Sequence, residues 1–268
     1  MLRKSLALLL GSALFATMAA GQTAGELIAK NNQAQGGSKL RSVKTVRMSG
    51  TLTFPERKGE SLLLELVPPS HKVRREITDE DGVQTKVYDG TVGWEVSRSE
   101  GKTELSRLTG DALNSLKDLA DFQGALFDYQ AKGNEIEYLG KDEIDGKPVY
   151  KLWLTRRDGV GSTIYLDAKS HLEVRETTIQ VSHTYGREFG PFGIREFVND
   201  QRELVTTYSD FKTIDGVTLP CTIETKLKRV EGGGTIQMDG SMRIDIDKVE
   251  LNVDIPASRF TKPKTGER

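Results

Sequence analysis

The chain of 268 residues carries 38 Lys and Arg against 39 Asp and Glu, a formal net charge of −1, with the two signs interspersed along its length. No basic stripe marks a nucleic-acid surface, and the single cysteine, Cys221, excludes an internal disulfide. Stability therefore rests on a hydrophobic core, which a chain of this length is ample to build.

The first residues read as an export signal. Arg3 and Lys4 form a short positive region, Leu6 to Phe15 an apolar run, and Ala16, Ala19, Ala20 and Gly21 a small-residue stretch. That is the pattern of a cleaved secretory signal, and it is too short for a membrane-spanning helix. Residues 1–21 are expected to be removed, leaving 22–268 as one exported, soluble domain with no lipidation cysteine in its signal.

The spacing of Leu27, Ile28, Asn31 and Ala34 predicts a helix over 24–35 that stops at Gly36-Gly37. From Val43 the period changes to two. Val46, Met48, Leu52 and Phe54 share one face of a long strand, with Lys44 and Gly50 completing the row. Strands follow at 61–67, 72–77, 83–89 and 92–96, broken by Pro68-Pro69, the acidic turn 79–82 and Asp89-Gly90, the pattern of an antiparallel meander. In the last of these, Val92, Trp94 and Val96 are expected on the concave face and Gly93 on the other.

Residues 110–133 break the pattern. Leu113, Leu116, Ala120, Gln123 and Phe127 recur at helical spacing, and Leu119, Phe122 and Leu126 widen the apolar face. One helix, or two joined near Gly124, is expected there. Strands resume at 135–140, 149–155, 162–167, 172–181, 203–211, 221–228 and 242–251. Residues 182–197, rich in glycine and phenylalanine, read either as a loop packed over one end of the sheet or as a mobile apolar flap.

The chemistry-bearing residues form no constellation. His71, His171 and His183 lie far apart, with no partner at metal-ligand spacing. There is no GxSxG elbow, and Gly101-Lys102-Thr103 is no phosphate loop because Val96 stands where its first glycine belongs. Acidic residues sit at turns or alternate with basic ones, as on a solvated face. No enzyme activity, cofactor or metal is therefore expected. A sheet with one apolar face must nevertheless cover it. The helix at 110–133 either seals it as packed core or stands off and leaves an apolar cavity.

The order of elements resembles the LolA/LolB-like superfamily of outer-membrane lipoprotein-sorting proteins, in its larger bacterial members. The residues that carry the resemblance are Pro68-Pro69-Ser70-His71-Lys72-Val73-Arg74, Tyr88-Asp89-Gly90 with Gly93-Trp94, the stretches 137–155, 165–175 and 208–220, and Arg259-Phe260-Thr261-Lys262-Pro263. The resemblance implies a mainly β fold, a curved antiparallel half-barrel covered by helices, enclosing a cavity for acyl chains. It implies a monomeric periplasmic carrier that takes lipoprotein or lipid acyl chains from an inner-membrane transport protein towards an outer-membrane one. A sensor module regulating an envelope-stress partner is the alternative on the same fold. The family's lid-locking arginine has no matching motif position here, Arg41 and Arg47 being the nearest candidates. The expected cavity residues are Met48, Leu52 and Phe54 on the first strand, Leu64 and Leu66 on the second, Trp94, and Leu116, Phe122 and Phe127 in the helical segment.

Overall fold

The computed structural model describes residues 23–55, 57–185, 197–230 and 236–264. The export signal, all but the ends of the 182–197 segment, and the turn at Gly232-Gly233-Gly234 lie outside the described residues.

Helix α1 (Ala24–Gln35) starts at Thr23, whose hydroxyl accepts from the Glu26 N–H while the Glu26 carboxylate accepts from the Thr23 N–H. It ends at Gly36, where φ is +123°. A single turn, α2 (Ser38–Arg41), leads into β1 (Val46–Thr53). The meander continues through β2 (Glu60–Val67), β3 (Lys72–Thr78), β4 (Gly82–Tyr88), β5 (Gly93–Ser99) and β6 (Lys102–Arg107). After α3 (Gly110–Ala120), a second meander comprises β7 (Glu135–Ile144), β8 (Lys147–Thr155), β9 (Gly161–Asp167) and β10 (Glu173–Tyr185). It is completed by β11 (Phe197–Ile214), β12 (Val217–Val230) and β13 (Ile236–Leu251).

The two meanders join into one sheet because β13 returns to pair antiparallel with β1. The order of the 13 strands runs from β6 through β1 to β13 and on to β7, curved and unclosed, a half-barrel. Register decides which side each residue takes. Val46, Met48 and Gly50 stand opposite Leu66, Leu64 and Leu62, and Leu64 stands opposite Arg75. These side chains face the concave side, where the helices lie. The alternate set, Arg47, Glu65 and Arg74, faces outward.

The concave side holds two cores. One, under α3, contains Val46, Leu66, Val73, Tyr88, Leu116 and Ile246. The other, under α1, contains Leu27, Ile28, Leu152, Leu154, Ile164 and Leu166. The segment 122–134 spans both, since Phe127 belongs to the first and Leu126 to the second.

One strand went unread and two expectations need correction. Strand β6 has no counterpart in the sequence reading, because KTELSR lies on the sheet edge with almost no buried position to reveal it. Of the one helix, or two joined near Gly124, expected over 110–133, only the first part forms: α3 ends at Ala120, and turns follow to residue 133. Lys132 fastens them, its ammonium donating to both Asp121 carboxylate oxygens at 2.7 Å and to the Gly124 carbonyl at 2.6 Å. Finally, Trp94 and Gly93 take the opposite faces from those expected. A Cβ on Gly93 would meet Leu113 of α3 at 2.7 Å, so Gly93 faces the helix and permits its close approach. Trp94 therefore lies on the outer face, beneath the ammonium of Lys262 at 4.5 Å.

Candidate functional site

Between α3 and the concave sheet lies a cavity of about 420 Å³. Its sheet wall crosses six neighbouring strands: Met48 from β1, Leu62, Leu64 and Leu66 from β2, Arg75 from β3, Tyr208 from β11, Leu219 and Ile223 from β12, and Met242, Ile244 and Ile246 from β13. Its roof is Ser115, Asp118 and Leu119 of α3, continued by Asp121 and Phe122. The strands supply this aliphatic wall because period-two alternation sends every second residue of six adjacent strands to the same side. The roof fails to fill the space because α3 buries only Leu116 and Ala120 fully. Leu113, Leu119 and Phe122 remain partly exposed where they meet the core.

A second cavity of about 410 Å³ adjoins the first, sharing Arg75 and Met242. It is more polar, combining Leu52, Phe54 and Ile77 with Arg57, Glu60, Asp79 and Asp81. The interior thus runs from an aliphatic chamber under α3 towards a polar mouth formed by the far ends of β1 to β5.

Charged groups flank the aliphatic chamber on two sides. On the β3 side, Arg75, Lys86 and Glu95 stand opposite one another in a row across three strands, with Lys86 and Glu95 3.8 Å apart. Burial pulls the Arg75 guanidinium below its ordinary value, and Glu95 offsets part of this. On the β9–β11 side, the Arg156 guanidinium donates to the Glu176 carboxylate at 2.9 Å and to the Ser162 hydroxyl at 3.2 Å. Burial works against the Arg156 charge, but Glu176, Asp118 and Glu173 together hold it above its ordinary value. Burial raises the Asp118 carboxyl. It raises Glu173 to about 8, with the like charge of Glu176 adding to the effect and Arg156 opposing it. Tyr208 is also pushed well up, by burial first and then by Glu173 and Glu176.

The two glutamates share the concave face because β10 bulges. Glu173 pairs with Leu166 and Arg175 with the next residue back, Tyr165, so Val174 is an extra residue in the ladder. Plain alternation places Glu173 and Glu176 on opposite faces, and the sequence reading, which took acidic residues in general for a solvated face, did not single them out.

The nine residues proposed from sequence fall into four places. Met48, Leu64, Leu66 and Phe122 line the aliphatic chamber. Leu52 and Phe54 line the adjoining mouth. Leu116 and Phe127 are buried in the packed layer beside the chamber. Trp94 is on the outer face. Sequence reasoning missed Arg75, Asp118 and Tyr208, and also the β12 and β13 wall of Leu219, Ile223, Met242, Ile244 and Ile246. Ile223, Met242, Ile244 and Ile246 were legible as alternation within the strands read at 221–228 and 242–251, whereas Leu219 lies on the part of β12 that precedes the expected strand. The polar three were hidden among many other charged and tyrosine positions.

Neither candidate for a lid-locking arginine enters the chamber. Arg41 makes a two-pronged ion pair with Asp128, at 2.6 and 2.7 Å, and lies 4.8 Å above the Phe127 ring. It therefore ties the 122–134 segment to α2. Arg47 pairs outward with Glu65 at 3.1 Å. Cys221 is buried in the core under α3. Among the described residues, no group of three His, Cys, Asp or Glu is arranged to hold a metal ion. No helix among them is long and apolar enough to cross a membrane.

No protein-family model and no curated protein matches the sequence. Solved structures do match the fold. A DUF1329 family protein from Desulfovibrio piger superposes with a TM-score of 0.54 at 11% identity, over 88% of this chain and 96% of that one. A LolA superfamily protein from Nitrosomonas europaea superposes with a TM-score of 0.51 at 16% identity, over 90% of this chain and 98% of that one. With its unclosed antiparallel sheet wrapped around helices on the concave side, the chain has the LolA-like fold.

Proposed function

We propose that the protein is a soluble periplasmic carrier that shelters acyl chains of lipoproteins or lipids between the concave sheet and α3, for transfer towards the outer membrane. The observation that supports this most directly is the chamber itself, about 420 Å³ of space walled by aliphatic side chains. An aliphatic wall held open in this way keeps apolar surface that a bound acyl chain would remove from water. A chamber of a few hundred cubic ångströms with few polar groups is the usual form of a small-ligand site. A carrier acts by binding and release alone and uses no catalytic group. It exchanges cargo with transport proteins of the inner and outer membranes, and works as a monomer.

The test is to isolate the protein from whole cells, extract it with organic solvent and analyse the extract by mass spectrometry, followed by uptake of a fluorescent fatty acid. Co-purifying acyl lipid and saturable uptake are expected. Lipid-free protein with no uptake refutes the carrier. Intact lipoprotein sorting in a deletion strain, with capture of a membrane signalling protein, favours a sensor module instead.

A further inference from the structure

The carrier reading leaves open what is attached to the acyl chain, and Arg75 bears on that question. Its neighbours in sequence, Arg74 and Glu76, point outward and pair with each other. Arg75 points inward and makes no hydrogen bond or ion pair with any described residue; the carboxylate that acts on its charge is Glu95. Glu95 is shared with Lys86, so this row holds two cations against one carboxylate. Arg75 is half-buried and lines both spaces, so its N–H groups face the interior unclaimed by any protein acceptor and are free to donate to a ligand there.

The placement is as informative as the charge. Arg75 borders both the aliphatic chamber and the polar mouth. An amphiphile whose chain fills the chamber would have its head group at that border. The opposite wall carries Asp118, with Glu173 and Glu176 grouped around the cation Arg156. The Arg156 cation on that wall is already taken up by Glu176, so it offers an anion little, whereas Arg75 is unclaimed, and this fixes the direction in which the molecule lies.

Building on the carrier reading, we infer that the cargo is an acyl chain bearing an anionic head group, a carboxylate or a phosphate, and that Arg75 receives the anion where chamber and mouth meet. The planar guanidinium suits both anions, since each offers two oxygens to its fork of donors. Arg75 is thus a specificity-determining residue for the head group, while the aliphatic wall holds the chain.

The test is competition against a neutral apolar dye, N-phenyl-1-naphthylamine, on the full exported chain. The competitors are hexadecanoate, hexadecyl phosphate, hexadecanol and hexadecyltrimethylammonium. Both anions are expected to displace the dye about tenfold or more better than hexadecanol, as a charge-assisted hydrogen bond implies. The quaternary ammonium is expected to be weakest. Arg75→Gln should bring the anions down to the level of hexadecanol, and Arg75→Lys should retain most of the preference. The tighter of the two anions then distinguishes a free fatty acid from a phosphate-bearing lipid. Equal displacement by acid and alcohol on the unaltered protein overturns the inference and leaves the carrier standing, whether or not Arg75→Gln folds. A preference that survives in folded Arg75→Gln also overturns it. Failure of every competitor, or of the dye, overturns the carrier as well.

Discussion

Two helices cover the two halves of the same concave face, and they do so differently. Helix α1 drives Leu27, Ile28 and Asn31 fully into the β7–β9 half, where they meet Leu152, Leu154, Ile164 and Leu166. The Asn31 side-chain amide also donates to the His171 carbonyl at 2.8 Å, pinning the helix to the β9–β10 turn. Helix α3 buries only Leu116 and Ala120 and leaves the chamber beneath its other turns. The lesson is that apolarity of a covering helix does not distinguish a plug from a lid. What distinguishes them is how many of its apolar residues reach the sheet.

That contrast can be broken by substitution. The largest effect is expected for Leu116→Asp. Leu116 lies in the packed layer rather than in the chamber, so an unpaired carboxylate there should cost about 4 kcal/mol or more and unfold the protein in thermal melts. Leu152→Ala, in the filled half, should cost about 3 kcal/mol in denaturant unfolding, because it removes methylenes and opens a new void. Leu119→Ala, at the chamber roof, should cost about 1 kcal/mol or less, since the void already exists and the side chain is partly exposed. It should nevertheless weaken acyl-chain binding. Comparable costs for Leu152→Ala and Leu119→Ala would mean that both halves are filled.

The acid cluster adds a pH signature. Glu173 titrates near 8 in the folded chain against an ordinary value of 4.5, so between those values the folded state holds a proton that the unfolded state has released. Stability from this group is therefore greatest below about pH 4.5, falls as pH rises towards 8, and is level above that. The groups around it are Glu176 on the same strand, Arg156 from the β8–β9 turn and Tyr208 on β11. Glu173→Gln should flatten the pH dependence of unfolding across that window and stabilise the protein at pH 8. An unchanged slope would place Glu173 in water. The smallest effect is expected for Arg41→Ala. Its ion pair with Asp128 is exposed, so the melting temperature should hardly move. Hydrogen exchange in the 122–134 segment should quicken, because the tie across Phe127 is lost.

Much of this architecture was legible in the chain. The row Met48, Leu64, Leu66 reads directly from period-two alternation, and α1 from its spacing and terminal glycines. Three features resisted for physical reasons. Alternation says that two faces differ but not which is concave, and here both are covered. The outer face of β3–β5 lies under the turn Ala257–Phe260, where Phe260, Val87 and Val96 are buried. There Arg259 donates to Glu65 at 2.7 Å and to Glu76 at 3.3 Å. Apolar Trp94 and Val96 therefore served an outer core rather than the chamber. The bulge at Val174 reversed the parity of β10 and brought two glutamates inside. Arg75, one of two adjacent arginines, was distinguishable from Arg74 only once the register was known.

The central claim is that the chamber under α3, and not the filled half or the outer face, receives an acyl chain. It is tested most directly with a photoactivatable fatty acid carrying a diazirine midway along its chain. After irradiation with the purified protein, the labelled peptides are mapped by mass spectrometry. The account expects labels at Met48, Leu62, Leu64, Leu66, Leu119 and Phe122, all of which line the chamber. Labels confined to α1 and β7–β9, labels around Trp94 and the carboxyl-terminal segment, or no saturable labelling would contradict it.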